Sequence, residues 1–350
     1  MLVQYIGKVV KWKVKQIENV VSSYGFAPYY IEKITSRLFR VNDGRYDYAL
    51  KRSRLSDNTI ALWENVYHQA HTLQLNNILP VYITETSQLY TRVDEAYYYM
   101  TPWTRNYSLN QQQQIHNTLR AISEIHEKTK QTQPVDTVAV KHKFSDYRSR
   151  CRELQDTLLD YVKLFEQNRF MSPLELQVCT HYHVLVNVLA ELDTQIGYFM
   201  AELEENNTWN YSLCHGDLDL SHTLHHHHTY IINWEKVSYD NAATDLAIFL
   251  QDLAKHYDQS PENLAEMYSS YSYRNRLDDK EWHLLLIYLL DPFHYIKLVE
   301  QYIAKESRHT MIVQQKMLQH SFRQLQLGLD WSGRAKSDMI ADPETTSDDS

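Results

Sequence analysis

The residues whose types and spacing could do chemistry lie in one stretch, HGDLDLSHTLHHHHTYIINWE, from His215 to Glu235. Transfer of a phosphoryl group to a hydroxyl needs a carboxylate that accepts the proton, metal ions that bridge the phosphate oxygens, and a lysine that holds the phosphates. The stretch offers the carboxylates Asp217 and Asp219 together with several imidazoles. It therefore predicts either a phosphotransfer site or the remnant of one.

The four consecutive histidines, His225–His228, invite a metal-site interpretation, but strand geometry limits it. Alternate side chains of a strand point to opposite faces, so at most two of the four could share one ion. The centre of the run also lies about 15 Å along the strand from His222, at about 3.3 Å per residue. We therefore expect a polar hairpin tip, and His222 is the better metal candidate of the two.

The first hundred residues predict a mixed lobe of helices and short strands. Residues 13–23 have an apolar helical face made of Val14, Ile17, Val20 and Val21, and a second helix is expected from Asp57 to Leu75, capped by Ser56 or Asp57. Asn42-Asp43-Gly44 is a strong hairpin signal. Strands are expected at 29–34, 37–41, 45–51, 78–84, 89–93 and 96–101.

From Ser108 onward the pattern is mainly helical, apart from the loop and hairpin of 215–235. Helices are expected at 108–130, 142–169, 173–206, 243–257, 261–272, 279–304 and 308–327. The predicted fold is α+β, with a small antiparallel β-rich lobe in residues 1–103 and a larger, mainly helical lobe in residues 104–331. The polar, acidic residues 332–350 have no apolar face, and they predict a disordered tail.

The segment LCHGDLDLSHTL…YIINWEKVSYDNAATDLA resembles the aminoglycoside phosphotransferase and choline kinase superfamily. That superfamily has HGD, then an asparagine and a strand, a second strand that ends in IDWE, and a further DLA. His215-Gly216-Asp217, Trp234-Glu235 and Asp245-Leu246-Ala247 match these motifs. The resemblance covers about residues 28–330 and implies a two-lobed, protein-kinase-like fold. It implies catalytic positions at Asp217 and His215, vestigial or weak here, and a structural role for Asp245.

The chain departs from the superfamily at both metal-binding positions. His222 replaces the asparagine, and Asn233 replaces the aspartate of IDWE. A hairpin that turns at His227-His228 would place His222 opposite Asn233. Mg²⁺ prefers carboxylate and phosphate oxygens, which an imidazole and an amide do not replace. We therefore expect no metal site and strongly impaired magnesium-dependent phosphoryl transfer, unless Asp219 or Glu235 serves as the ligand.

The nucleotide positions are also degenerate. Lys51 resembles the strand lysine that contacts phosphates, and Glu64 on the following helix is its expected partner. The hairpin that would cover the phosphates, ITSRLFRV (residues 34–41), contains no glycine. The resemblance therefore implies ATP as a candidate ligand that is not required, with little reason to expect Mg²⁺ or Mn²⁺.

Composition excludes several classes of protein. The net charge of −9 argues against a nucleic-acid binder. Seven glycines in 350 residues leave no glycine-rich phosphate motif. The three cysteines are too scattered for a disulfide framework, no run is long enough to span a membrane, and no signal peptide is evident. Synthesis in the cytoplasm is expected.

Within the superfamily, the chain most resembles the CotS/YsxE-type spore coat proteins of endospore-forming bacteria. This resemblance implies a location in the spore coat and other coat proteins as partners. The prediction is a pseudokinase that acts as a structural or binding component. One alternative is a residual ATP-dependent phosphotransferase that acts on a small alcohol, an amino sugar or a coat protein. A metal-dependent hydrolase that uses His215 and His222 ranks last, because no third ligand is evident.

Overall fold

The computed structural model describes residues 16–255 and 261–341, which form two compact units. The first unit comprises the chain up to Thr129 with Leu213–Gly216 and Leu220–Tyr239. The second comprises Lys130–Ser212, Asp217–Asp219 and the chain from Asp240 onward. An antiparallel sheet in the first and many helices in the second confirm the predicted α+β class. The first unit extends beyond the predicted lobe boundary at residue 103.

The sheet of the first unit has five antiparallel strands in the order β1-β2-β3-β5-β4: Tyr30–Lys33 (β1), Leu38–Asn42 (β2), Asp47–Arg52 (β3), Thr91–Val93 (β4) and Ala96–Pro102 (β5). The structure confirms the hairpin predicted from Asn42-Asp43-Gly44. The side chain of Asn42 accepts the Gly44 N–H at 2.7 Å, and the Asp43 carboxylate accepts the Arg45 and Tyr46 N–H groups, both at 2.7 Å. These local bonds fix the turn and therefore the register of β2 with β3.

Helix α1 (residues 16–22) completes the core of this sheet, and helix α2 (Ile60–Thr72) contacts it through Trp63 and Tyr99. Helix α1 buries Ile17, Val20 and Val21 against Val41, Leu50, Tyr98 and Met100 of the sheet, as the apolar pattern predicts; Val14 lies outside the described residues. Helix α2 begins later than expected, with Thr59 as its N-cap residue. Gln111–Thr129 (α3) confirms the helix predicted there.

The strand predicted at 78–84 is wrong. Only Ile78 makes a bridge, to Ile231, and Tyr82 donates one backbone hydrogen bond to Met100 at 2.8 Å. Pro80 lacks an N–H, so it cannot donate to a ladder and interrupts the segment. Beyond these contacts the run forms no ladder in the described part of the chain, even though its β-branched and aromatic residues favour a strand.

The second unit is built of α4 to α10: Thr137–Glu166, Pro173–Glu205, Ala242–Ala254, Pro261–Ser272, Asp279–Leu289, Phe293–Ile303 and Met311–Ala341. The pattern missed the strands β6 (Gln131–Pro134) and β7 (Thr208–Cys214), which pair antiparallel. Of the remaining strands, β8 (Thr223–His225) and β9 (Thr229–Ile231) belong to the first unit, and β10 is Ser238–Asp240. None of the helices in the described chain is both long and apolar enough to cross a membrane.

Two predicted boundaries in the second unit need correction. The single helix expected at 279–304 is two helices, because Pro292 cannot donate the backbone hydrogen bond that a continuous helix requires. The last helix continues to Ala341, although residues 332–341 were expected in a disordered tail. The next proline after its start is Pro343, so no strong helix breaker intervenes. Residues 342–350 lie outside the described chain.

A buried imidazole predicts that the fold loses stability in acid. His181 on α5 is 5% exposed, its ring centroid stacks 3.5 Å from that of Phe322, and its Nδ1 lies 3.1 Å from the Tyr295 hydroxyl. Burial lowers the pKa of His181 from 6.5 to about 4. Protonation therefore favours the unfolded chain, and stability present above pH 6.5 is lost as the pH falls toward 4.

Between pH 7 and pH 5 this linkage predicts a loss of about 2 kcal/mol in the free energy of unfolding. Urea denaturation at the two pH values measures it. His181→Phe should reduce the dependence by about that amount and leave the part due to His225, His283 and His294, whose pKa values burial also lowers. His183→Phe, at an exposed position of the same helix, should leave the dependence unchanged. An equal loss in the unmodified protein and in His181→Phe would contradict the assignment.

Candidate functional site

A cavity of 470 Å³ lies within the first unit, between the sheet and the β8–β9 hairpin. Leu38 of β2 and Ala49 of β3 line it from the sheet, and Leu224 and Ile232 line it from the hairpin segment. The remaining lining residues come mainly from the β1–β2 turn, from α2 and from the segment at the end of β5: Thr35, Arg37, Lys51, Tyr67, Leu79, Tyr99, Thr101, Pro102, Trp103, Thr104, Ser221 and Asn233. Such a largely apolar cavity with a few polar groups is typical of a small-molecule site.

Lys51 is one of the two cationic residues that line this cavity, the other being Arg37. Lys51 lies on β3, paired with Leu38 on one side and Tyr99 on the other. Its ammonium group donates a hydrogen bond to Asn233 Oδ1 and lies 2.9 Å from Glu235 Oε1. Burial lowers the pKa of Lys51, and the nearby Glu235 carboxylate opposes that shift. The two predicted positions, Lys51 and Asn233, are therefore brought into direct contact.

Glu235, and not Glu64, is the carboxylate partner of Lys51. Its second oxygen, Oε2, accepts the Arg54 N–H at 3.3 Å, so both carboxylate oxygens have partners. A short 3₁₀ turn, Trp234–Lys236, carries Glu235 to Lys51. Within the described ranges no ion pair joins Lys51 to Glu64, which instead lines a separate groove of 800 Å³ beside α2. The expected Lys51–Glu64 pair is thus wrong.

The backbone of Asn233 turns sharply to direct this cluster. Its φ of 68° and ψ of 44° lie in the left-handed region, which asparagine tolerates better than most residues. The next side chain, Trp234, is fully buried and donates its indole N–H to Ile231 O at 3.0 Å. This anchor holds the turn in place, so the Asn233 amide has a defined direction.

The register predicted for the hairpin is off by one residue. Thr223 pairs with Ile231 and His225 with Thr229, and the Ile232 N–H donates to His222 O at 2.9 Å. The turn therefore contains three residues, 226–228, and His222 faces Ile232, not Asn233. A one-residue shift exchanges the faces of a strand, which is why the predicted His222–Asn233 pair does not form.

His215 of the HGD triplet is a fully buried residue that fixes the loop to the hairpin. Its Nε2 lies 2.8 Å from Ile232 O, so Nε2 carries the hydrogen and donates it. The ring lies 5.0 Å from Trp234 and 5.4 Å from His222, measured between centroids. With Nε2 donating, only Nδ1 of His215 could bind a metal ion. His215 is thus placed as a positioning residue.

The acidic motif residues lie in the second unit. Asp217 and Asp219 are partly buried in the loop that precedes the 3₁₀ turn Leu220–His222. Asp245 is fully buried in the first turn of α6, where an acidic side chain complements the helix dipole. The catalytic role of Asp217 and the structural role of Asp245 remain predictions.

The histidine run forms the hairpin tip, but it is not uniformly polar and exposed. His225 is 3% exposed; its Nδ1 lies 3.2 Å from Thr229 Oγ1, and its backbone N–H donates to Asn106 at 2.7 Å. The His226 ring stacks on Tyr107 with centroids 4.7 Å apart. The expectation of a simple polar tip is therefore wrong for His225, because the three-residue turn directs it inward.

Solved structures with similar folds include several phosphotransferases and kinases. An aminoglycoside phosphotransferase from Alicyclobacillus acidocaldarius has a TM-score of 0.71 and 17% identity, over 92% of this chain and 96% of that one. The AMP-bound spectinomycin phosphotransferase APH(9)-Ia has a TM-score of 0.55 and 13% identity, over 88% and 95%. Amicoumacin kinase hAmiN, in complex with AMP-PNP, Ca²⁺ and Ami, has a TM-score of 0.52 and 16% identity, over 91% of this chain and 93% of that one. These similarities confirm the predicted kinase-like fold.

Comparison of the sequence with protein families identifies a narrower group. Curated protein sequences give no match. Residues 17–327, however, match the family described as "Spore coat putative kinase YutH". The expected resemblance to a spore coat branch of the phosphotransferase superfamily is therefore confirmed. Because the match spans most of the sequence, the chain belongs to this family of kinase-like spore coat proteins.

Proposed function

We propose that the protein is a pseudokinase of the spore coat: a binding and structural component that keeps the kinase-like cavity without efficient metal-dependent phosphoryl transfer. The observation that carries the proposal is the contact of Lys51 with Asn233 and Glu235. In this cluster the Glu235 carboxylate balances the charge of Lys51. The amide of Asn233 occupies the position of the metal-binding aspartate. Family membership supports other coat proteins as partners and the coat as the location.

The charge and donor chemistry of the cluster explain why transfer should be impaired. Magnesium is bound through carboxylate oxygens together with substrate phosphates. The carboxylate in the cluster, Glu235, already forms an ion pair with Lys51 and accepts a hydrogen bond from the Arg54 N–H. An ion at this place would have to displace both contacts. A nucleotide triphosphate would thus enter with its charge poorly compensated, and ATP is not a required cofactor.

A residual phosphotransferase is the second candidate, favoured by the retention of Asp217 in the HGD loop and of Lys51 in the cavity. The structural neighbours include an aminoglycoside phosphotransferase and an amicoumacin kinase, which makes a small amino-bearing alcohol or sugar the expected acceptor. A coat protein is the other acceptor class.

Restoring both metal-binding residues tests why transfer is impaired. The variant His222→Asn/Asn233→Asp should gain at least about tenfold in magnesium-dependent ATP consumption, because a carboxylate next to the phosphates supplies the missing ion site. The gain should disappear when Asp217→Ala is added, and His222→Asn alone should show little of it. If the double variant binds Mn²⁺, followed by electron paramagnetic resonance, yet consumes no more ATP than the unmodified protein, the missing metal ligands are not the cause.

A further inference from the structure

The tip of the β8–β9 hairpin carries three consecutive histidines outside the two strands. The turn between His225 and Thr229 contains residues 226–228, and the His226 N–H donates to His228 O at 2.9 Å. Alternate side chains point to opposite faces only within a strand, so that limit does not apply to these three residues. Neighbouring imidazoles of the turn are therefore free to face the same ion.

Two of these imidazoles lie close together at the surface. The ring centroids of His226 and His227 are 4.2 Å apart, and the two ring planes are nearly perpendicular, at 82°. His226 is half-buried and His227 is exposed. Both line a polar cavity of 410 Å³ together with Asn117 and Glu124. An ion from solvent can therefore reach the pair.

A tyrosine ring orders this pair. His226 stacks on Tyr107 with centroids 4.7 Å apart, and the His227 ring lies perpendicular to the same tyrosine ring, with centroids 6.0 Å apart. The Tyr107 N–H donates to His225 O at 2.7 Å, which ties the tyrosine to the hairpin. Side chains that are ordered beforehand lose less conformational freedom when they bind a ligand, so this packing preorganises the two imidazoles.

The surroundings of the pair limit the number of protein ligands to two. The His225 ring is engaged on both sides, with Nδ1 3.2 Å from Thr229 Oγ1 and Nε2 3.3 Å from Thr223 Oγ1. Among the described residues, no set of three histidine, cysteine or carboxylate ligands within 4.8 Å of one another includes His226 and His227. An ion at the tip would thus keep its remaining coordination positions for water.

We propose that His226 and His227 form a binding site for a divalent transition-metal ion of the copper, nickel and zinc class. Imidazole nitrogen suits these ions, whereas Mg²⁺ requires oxygen ligands. For a given set of ligands, the affinity is highest for Cu²⁺. The site shares no residue with the Lys51–Asn233–Glu235 cluster, so it goes beyond the proposed function and does not depend on it.

Titration calorimetry on the full chain, without an affinity tag, tests the site with Cu²⁺, Zn²⁺ and Mg²⁺. The tightest Cu²⁺ site should hold one ion per chain and bind it at least about tenfold more tightly than Zn²⁺, and Mg²⁺ should give no heat. His226→Gln and His227→Gln should each weaken Cu²⁺ binding at least about tenfold, because each removes one of the two ligands. His142→Gln, at an exposed position of α4, should leave it unchanged.

Variants of Tyr107 distinguish an ordered pair from a histidine run that binds without defined geometry. Tyr107→Ala removes the stacking but no ligand, so Cu²⁺ binding should weaken about fivefold. Tyr107→Phe keeps the ring and should bind like the unmodified protein. Pulsed electron paramagnetic resonance of the Cu²⁺ complex should show two coordinated imidazoles, and one in either glutamine variant.

Three results would overturn the inference. The first is the absence of saturable Cu²⁺ binding, and the second is unchanged binding in His226→Gln or in His227→Gln. The third is equal binding by Tyr107→Ala and Tyr107→Phe, which would mean that the tyrosine does not order the pair. Circular dichroism confirms that the variants are folded, and the ATP measurements that test the proposed function are independent of all three results.

Discussion

Replacement of Gly216 by alanine is expected to destabilise the first compact unit by about 3–5 kcal/mol, from left-handed backbone strain together with a steric clash. Gly216 has a φ of 76°, a conformation that side-chain-bearing residues rarely adopt. A Cβ atom there would collide with the carbonyl oxygen of Lys236 and lie 3.1 Å from its carbonyl carbon. Both are backbone atoms of the turn that follows Asn233, so neither can rotate away.

The matched control is Gly44→Ala in the β2–β3 hairpin. Gly44 has a φ of 97°, but nothing lies within 4 Å of a Cβ at that position. This variant should lose only the cost of the strained backbone, about 1–2 kcal/mol. Urea denaturation of both variants separates the clash from the strain. If Gly216→Ala is no less stable than Gly44→Ala, the close approach between the HGD loop and the 3₁₀ turn is incorrect.

Removal of the Glu235 carboxylate has the second largest expected effect. Glu235→Met leaves the ammonium group of Lys51 largely buried without its ionic partner, because the two side chains are only 11% and 19% exposed. Breaking one side of a buried pair costs about 3 kcal/mol, mostly from the uncompensated charge. The double variant Lys51→Met/Glu235→Met removes both charges and should recover most of that loss, to within about 1 kcal/mol of the unmodified protein.

A double-mutant cycle on the free energy of unfolding measures this coupling. Asp160→Asn is the control, because Asp160 and Lys163 form a pair with side chains 73% and 60% exposed, and it should change stability by less than about 0.5 kcal/mol. A Glu235→Met variant as stable as this control would mean that Lys51 and Glu235 do not form the cluster that carries the proposed function.

Local sequence signals predicted the parts of the fold that depend on local physics. The hairpin at Asn42-Asp43-Gly44 forms through side-chain bonds to neighbouring N–H groups, and α1 follows from a single apolar face. The strands Gln131–Pro134 and Thr208–Cys214 were not predicted from the sequence, because they pair with each other across a long helical stretch. Gln131–Pro134 has no apolar alternation, whereas Trp209, Tyr211 and Leu213 alternate with Asn210 and Ser212 in Thr208–Cys214, a strand signal that the helical interpretation overlooked.

In the candidate site, too, local sequence signals did not predict the long-range contacts. Motif matches located Lys51 and Asn233, which the structure joins by a hydrogen bond. The partner Glu235 was a named candidate only for a metal, since no local spacing links it to β3. The hairpin register failed because two-residue and three-residue turns fit the same histidine run, and one residue decides which side chain faces Asn233. Long-range ion pairs and turn lengths are therefore what the pattern could not specify.

The claim that this kinase-like protein does not transfer phosphoryl groups efficiently is tested most directly by ATP consumption. The consumption is measured with Mg²⁺ and with Mn²⁺ for the unmodified chain and for the Asp217→Ala variant. The acceptors offered are water, an aminoglycoside and a coat-protein extract. We expect the two proteins to be indistinguishable from each other under every condition, because the cluster of Lys51, Asn233 and Glu235 provides no ion site. Consumption by the unmodified protein that Asp217→Ala abolishes would contradict the account and identify an active phosphotransferase.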